Sequence, residues 1–192
     1  MNNTISQLTL PLLRKFPLLY AGLRGAYQFR KVTRTPAQSP LGFKIAGPVA
    51  MEDGNFEPEE TRLISNLLSE VTVFINIGAN VGYYVCLARQ AGKRVIAVEP
   101  LEQNVQILQR NVLANGWDDI EILPIGLGDN VALLKLYGGG TGASLVTGWG
   151  GANKNYRIVP VNTFDNILAD RFFGEKMLVV IDVEGFELNV LR

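Results

Sequence analysis

The run Val73-Phe74-Ile75-Asn76-Ile77, closed by Gly78, constrains this chain more than any other segment. Nearly continuous apolar residues ended by glycine suit a strand covered on both faces, as in a parallel sheet with helices above and below it. The residues that follow keep the same rhythm. Tyr84, Ala88 and Ala91 recur at helical spacing up to Gly92, and Arg94-Val95-Ile96-Ala97-Val98 is a second buried strand. Leu101, Val105, Leu108 and Val112 mark a helix closed by Asn115-Gly116, and Ile120-Glu121-Ile122-Leu123 is a third strand. This alternation predicts a right-handed parallel α/β unit. Upstream, Pro58, Glu59 and Glu60 suit the positive end of a helix on which Leu63, Ile64, Leu67 and Leu68 share a face.

Between Pro124 and Met177 the interval is longer than one crossover needs. Its two strand-like runs, Leu133 to Tyr137 and Arg157 to Val161, predict an antiparallel insertion. They flank a glycine-rich stretch, Gly138 to Gly151, with Ser144, Thr147 and Trp149, which reads equally as a lid over an acceptor or as a hairpin tip. Asn162-Thr163 caps a short helix containing Phe164, Ile167 and Leu168. Leu178-Val179-Val180-Ile181-Asp182 is the fourth parallel strand, and the next helix is only begun at Arg192. A central strand left with an unpaired apolar edge is an arrangement proteins avoid, so the sequence is expected to be a fragment lacking C-terminal strands.

With 192 residues, 47% of them hydrophobic, one buried core is expected and not two. Seven of the 18 basic residues (Arg14, Lys15, Arg24, Arg30, Lys31, Arg34 and Lys44) lie in positions 1–44, which hold no acid, so the remainder is net acidic. A net-acidic body without a basic stripe argues against nucleic acid as the main partner, because binding duplexes rests on neutralising phosphates. Pro11, Pro17, Pro36 and Pro40 break the basic segment into short helical pieces. It is expected to be an N-terminal extension, 1–55, ahead of a catalytic domain, 56–192. A solvated or domain-packed extension outweighs contact of residues 1–44 with an anionic membrane surface. Charges interrupt the only candidate span, and the first basic residue follows the first apolar run, unlike a secretory signal. A cytoplasmic location is the default. Cys86 stands alone, which excludes an internal disulfide, and it reads as a small core hydrophobe.

The chemistry gathers at three strand ends. After the first comes Asn76-Ile77-Gly78-Ala79-Asn80-Val81-Gly82-Tyr83, in which Gly78 permits a tight turn and Gly82 opens a helix with its amides toward the crevice. The spacing differs from the G-x-G-x-x-G that cradles a pyrophosphate, which disfavours an NAD-dependent dehydrogenase. After the second strand comes Glu99-Pro100, about twenty residues past the glycine turn, where an acid can accept hydrogen bonds from both hydroxyls of a ribose. Loop and acid together fit an adenosine-type ligand without a pyrophosphate, hence S-adenosylmethionine. After the fourth strand come Asp182 and Glu184, at the sheet edge where ligands of open α/β folds bind, although both also suit capping of the next helix.

The blocks Phe74 to Tyr84, Val98 to Pro100, Asn111 to Gly116 and Ile181 to Leu191 resemble the FkbM family of S-adenosylmethionine-dependent methyltransferases, over residues 56 to 192. The most specific piece is Ile181-Asp182-Val183-Glu184-Gly185-Phe186-Glu187. The resemblance implies a Rossmann-like class I methyltransferase fold with an open, mostly parallel sheet. It also implies methylation of hydroxyls on sugars, polyketides or related metabolites, with a small-molecule or glycan acceptor. It implies that Gly78, Asn80 and Gly82, with Ala79 and Tyr83 in the same loop, line the methionine end of the cofactor. Glu99, beside Pro100, would hold its ribose, and Asp182 and Glu184 would face the methyl or the acceptor. Asn76 stands where the family usually has aspartate, which keeps hydrogen bonding but loses a charge toward the cofactor's ammonium. The chain has no histidine, so the expected base is Asp182, with Glu184 second. Two carboxylates are too few to assert a metal site. The rival classes are an NAD-dependent oxidoreductase and a non-catalytic Rossmann-like binding module.

Overall fold

The protein's structure, a computed structural model, describes residues 33–149, 155–172 and 174–192. Contacts divide the chain between Arg34 and Thr35, and the unit described below is Thr35–Arg192. The basic segment up to residue 32 lies outside the described residues, as do the helical pieces expected there. From Ala37 the chain forms an antiparallel pair instead of helix, β1 (Ala37–Gln38) and β2 (Lys44–Ile45), with Ala37 opposite Ile45. Pro40 cannot continue a helix, and Gly42 supplies a positive φ of 92° in the connecting turn. The boundary expected at residue 55 falls inside this packed unit. Phe43, Ile45 and Met51, the last on α1 (Val49–Glu52), are buried in the same cluster as Phe74 of the sheet.

The regular α/β part then runs α2 (Pro58–Leu68), β3 (Val73–Ile77), α3 (Tyr83–Gln90), β4 (Arg94–Val98), α4 (Glu102–Ala114) and β5 (Glu121–Leu123). On α2 the buried stripe is Thr61, Ile64 and Leu68, while Leu63 turns out to solvent at 58% exposure. The helix touches the body along one narrow line, so four apolar residues cannot all face inward. Next come β6 (Gly126–Leu127), β7 (Ala132–Tyr137), β8 (Tyr156–Asn162), α5 (Phe164–Leu168), β9 (Met177–Ile181) and α6 (Glu187–Val190).

The main sheet has the order β5-β4-β3-β9, and all three pairings are parallel. Chain order therefore reverses between β3 and β9, which places a ligand crevice beyond the carboxyl end of β3. The two-residue repeat of a strand sorts the core into two layers. Phe74, Val95 and Ala97 pack with α2, α3, α4 and β2, whereas Val73, Ile75, Ile77, Ile96 and Val98 pack with α5, Phe172 and Val190. Helices on both faces of a parallel sheet are the Rossmann-like architecture that the sequence suggests. The insertion is a second sheet, ordered β6-β8-β7, in which β7 and β8 pair antiparallel from Ala132 opposite Val161 to Tyr137 opposite Tyr156. Leu101 joins it to the main body by packing on Leu136, Val159 and Val161.

Asn111 of α4 and Asn115 at its C-cap tie β2 to the body. Asn111 is fully buried; its Oδ1 accepts from the Ala46 amide at 2.7 Å, and its Nδ2 donates to the carbonyls of Ala46 at 3.1 Å and Val81 at 2.8 Å. One turn later, Asn115 accepts from the Lys44 amide at 2.7 Å and donates back to the Lys44 carbonyl at 2.7 Å. The pair serves the backbone of residues 44 and 46 as a neighbouring strand would, satisfying groups that burial would otherwise leave bare.

Candidate functional site

Register brings the three chemical motifs to one level. Ile77 lies opposite Val98 on one side and Ile181 on the other, so Gly78, Glu99 and Asp182 each stand one residue past the same line. The amides of Gly78 and Ala79 both donate to the Val98 carbonyl at 2.9 Å, and the Asp182 amide donates to the Ile77 carbonyl at 2.9 Å. Gly78 holds φ at 84°, and a Cβ there would lie 1.9 Å from the Asp182 carbonyl oxygen. Only glycine lets these two strand ends meet. Gly82 holds φ at 90° as it opens α3, and a Cβ would strike Leu108 at 2.2 Å.

Glu99 is 5% exposed, and its carboxylate joins the two turns. The Asn80 amide donates to Oε2 at 2.8 Å and the Leu101 amide to Oε1 at 2.8 Å. A carboxylate has about four acceptor positions, so two remain for hydroxyl donors. Burial pushes the Glu99 carboxyl up from its ordinary range, and the Leu101 and Asn80 amides, with the Asn104 side chain, pull against that rise.

A cleft of about 560 Å³, counted out to its open mouth, lies over these strand ends. Of the sequence-derived candidates, Gly78, Asn80, Glu99, Pro100, Asp182 and Glu184 line it. Asn76, Ala79, Gly82 and Tyr83 do not, and they support the turn from behind. Asn76 is 2% exposed within β3, and Tyr83 is a core ring packed edge-on against Phe43, Phe56 and Tyr84. The residues the sequence reading missed form the far wall: Asn104, Gly126, Leu127, Leu136 and Leu145. The topology rule alone would have pointed to Gly126 and Leu127, since they follow the carboxyl end of β5.

Asp182 opens toward solvent at the cleft, where the surrounding walls still shed enough water to raise its carboxyl above the usual range. Repulsion from Glu184, Glu57 and Glu187 adds to the rise. Glu187 is partly desolvated too, but the amides of Gly185 and Val183 hold its carboxyl below the ordinary range. Glu184, at a positive φ of 53°, is held by the glycine-rich segment. The Trp149 indole donates to its carboxylate at 2.8 Å, and the Ser144 hydroxyl donates to its backbone carbonyl at 2.6 Å. Trp149 lies directly over Gly185, where a Cβ would come within 2.6 Å of the ring. Gly138–Trp149 is therefore a flap fastened over the loop after β9, with Gly140, Ala143 and Leu145 on the cleft. Residues 150–154, and with them the end of the glycine-rich stretch at Gly151, lie outside the described residues.

Residues 76–192, more than half of the chain, match the family model of the methyltransferase FkbM domain. The chain belongs to the FkbM methyltransferase family. The SAM-dependent methyltransferase from Agrobacterium tumefaciens aligns at TM-score 0.34 and 15% identity, over 36% of this chain and 24% of that one. The M. jannaschii TYW2 in complex with AdoMet aligns at TM-score 0.32 and 24% identity, over 42% of this chain and 37% of that one. The chain thus spans well under half the length of either solved protein. No curated protein matches the sequence.

The FkbM domain's own residues fit S-adenosylmethionine. Among the described residues Asn80 Oδ1 is buried without a hydrogen-bond partner, an acceptor left over beside the glycine turn. Glu99 keeps acceptor positions for a ribose. Among the described residues the cleft is lined by three carboxylates, Glu99, Asp182 and Glu184, and by no lysine or arginine. That lining suits a ligand carrying a sulfonium and an ammonium, and it opposes a pyrophosphate.

Proposed function

We propose that this FkbM domain binds S-adenosylmethionine in the cleft and directs its methyl group to a hydroxyl of a sugar, polysaccharide or secondary metabolite. The observation that carries the reading is the convergence of the Gly78 turn, Glu99 and Asp182 around one acid-lined cleft. Bound there, the cofactor supplies an electrophilic methyl on a sulfonium. Glu99 accepts hydrogen bonds from the ribose, and Asn80 Oδ1 meets a donor at the methionine end. Asp182 receives the acceptor's hydroxyl proton as the new oxygen–carbon bond forms and the carbon–sulfur bond breaks. A raised pKa makes its carboxylate a stronger base, and among the described residues no side chain hydrogen-bonds to it. Glu184 is occupied by Trp149 and holds the flap instead of taking the proton. Among the described residues no three metal-ligating side chains converge.

The test is a calorimetric titration of the protein with S-adenosylmethionine and with NAD, followed by methyl transfer from labelled cofactor to a panel of hydroxylated acceptors. Binding of S-adenosylmethionine alone is expected. Asp182→Asn should lower kcat by about 10²-fold or more while changing cofactor affinity little. Saturable NAD binding with no response to S-adenosylmethionine would refute the cofactor, and an unchanged kcat in Asp182→Asn would refute the base.

A further inference from the structure

One buried polar side chain of the cleft has no role in the scheme above. Asn104, on the first turn of α4, is 4% exposed and lines the cleft. Its Nδ2 donates to the Gly140 carbonyl of the flap at 3.1 Å, across 36 positions of sequence. The same side chain faces the Glu99 carboxylate and favours its ionised form. An asparagine amide carries two N–H groups, so one side chain can serve both neighbours. It is not needed as a helix cap, since Leu101 takes that position and its own amide is already bound to Glu99. Burying an amide here is offset by the hydrogen bond it makes to the flap backbone.

We infer that Asn104 is a positioning residue for cofactor capture, fastening the flap at Gly140 to the wall that carries Glu99 so that the cleft closes around the ribose. This rests on the reading of Glu99 as the ribose acceptor. Asn104 acts on the cofactor through two neighbours at once: it steadies the wall opposite the ribose, and it keeps the ribose acceptor charged. A leucine of similar size would leave the Gly140 carbonyl without its donor and Glu99 without a polar neighbour that favours its charge.

The experiment measures S-adenosylmethionine dissociation constants by calorimetry from pH 5.5 to 8.5 for the full chain, Asn104→Ala, Asn104→Asp and Glu99→Ala. In the unaltered protein affinity should fall as pH drops through the raised Glu99 pKa, because an ionised carboxylate accepts hydroxyl donors more strongly than its protonated form. Asn104→Ala should weaken binding about tenfold at pH 7.5, since it leaves the part-buried Gly140 carbonyl without its donor, and move the midpoint of that fall to higher pH. Asn104→Asp, nearly the same shape, should lose more, since it places a second carboxylate beside Glu99 and an acceptor against the Gly140 carbonyl. The other ionisable groups at the cleft, Asp182 and Glu184, and Glu57 and Glu187 that act on Asp182, are common to the unaltered protein and both Asn104 variants. The difference in midpoint between the unaltered protein and Asn104→Ala therefore reports Glu99. If each folded variant loses the same factor at every pH, or none, the positioning role is overturned. If Glu99→Ala binds as tightly as the unaltered protein, the ribose reading itself fails, which is a separate result.

Discussion

Replacing Asn111 by alanine should unfold this protein far more readily than the same change at Asn115, although the two side chains make equal numbers of hydrogen bonds. Asn111 is fully buried and serves three backbone groups: the amide and carbonyl of Ala46 and the carbonyl of Val81. Its removal leaves each without a partner in a region closed to water, at about 1–3 kcal/mol per group, partly offset where a water enters the space left behind. A net loss of about 3–5 kcal/mol follows, a large share of the 5–15 kcal/mol that typically holds a domain together. Asn115 bonds the amide and carbonyl of Lys44 and the carbonyl of Asn111, but its Lys44 bonds are exposed, so water replaces them and about 1 kcal/mol or less is lost. Urea unfolding at 25 °C, with unchanged m-values as the check on two-state behaviour, measures both. Asn111→Asp adds a sign test. It keeps one acceptor but buries a charge, which raises its folded pKa, so its deficit should be greatest at neutral pH and shrink as pH falls through that raised value. Equal losses at the two positions, or a loss below about 1 kcal/mol at Asn111, would refute the reasoning.

Gly78→Ala should lower the melting temperature by many degrees, since a side chain at φ 84° is strained and its Cβ meets the Asp182 carbonyl at 1.9 Å; a melt within 2 °C of the parent, about the resolution of such a comparison, would contradict that contact. Cys86, fully buried with its thiol pushed up to about 12, should resist thiol reagents at pH 8 until denaturant is added. Trp149→Phe removes the indole donor to Glu184 while keeping a ring over Gly185, so limited proteolysis should cut the flap several-fold faster; an unchanged rate would mean the indole bond does not hold it.

Much of the α/β frame was legible because burial on both faces leaves a local signature. The runs before Gly78 and after Lys93 are apolar without alternation, and the helix between them repeats at helical spacing. The level at which Gly78, Glu99 and Asp182 meet followed from their common place at strand ends. What was hidden depends on partners distant in sequence. Nothing near Asn111 announces that its partners are Val81 and Ala46, and nothing near Glu184 announces Trp149. The far wall of the cleft is built by an insertion folding back, so Leu136 and Leu145 carry no local mark of their role. The hairpin Ala37–Ile45 was read as broken helix because Pro36, Pro40 and a run of basic residues resemble a solvated segment. Its apolar anchors are Phe43 and Ile45, buried in one cluster with residues of the sheet and of α4. The resemblance places Tyr83 with the cofactor loop, whereas its ring packs into the aromatic core.

The most direct measurement is a crystal structure of the full chain with S-adenosylhomocysteine. We expect the ribose hydroxyls within about 3 Å of the Glu99 carboxylate, the usual hydrogen-bond distance, with the Gly78–Asn80 turn alongside the amino-acid end and the sulfur facing Asp182. Density for the ligand on any other face of the sheet, or a ribose that leaves Glu99 bound only to the amides of Asn80 and Leu101, would contradict the assignment.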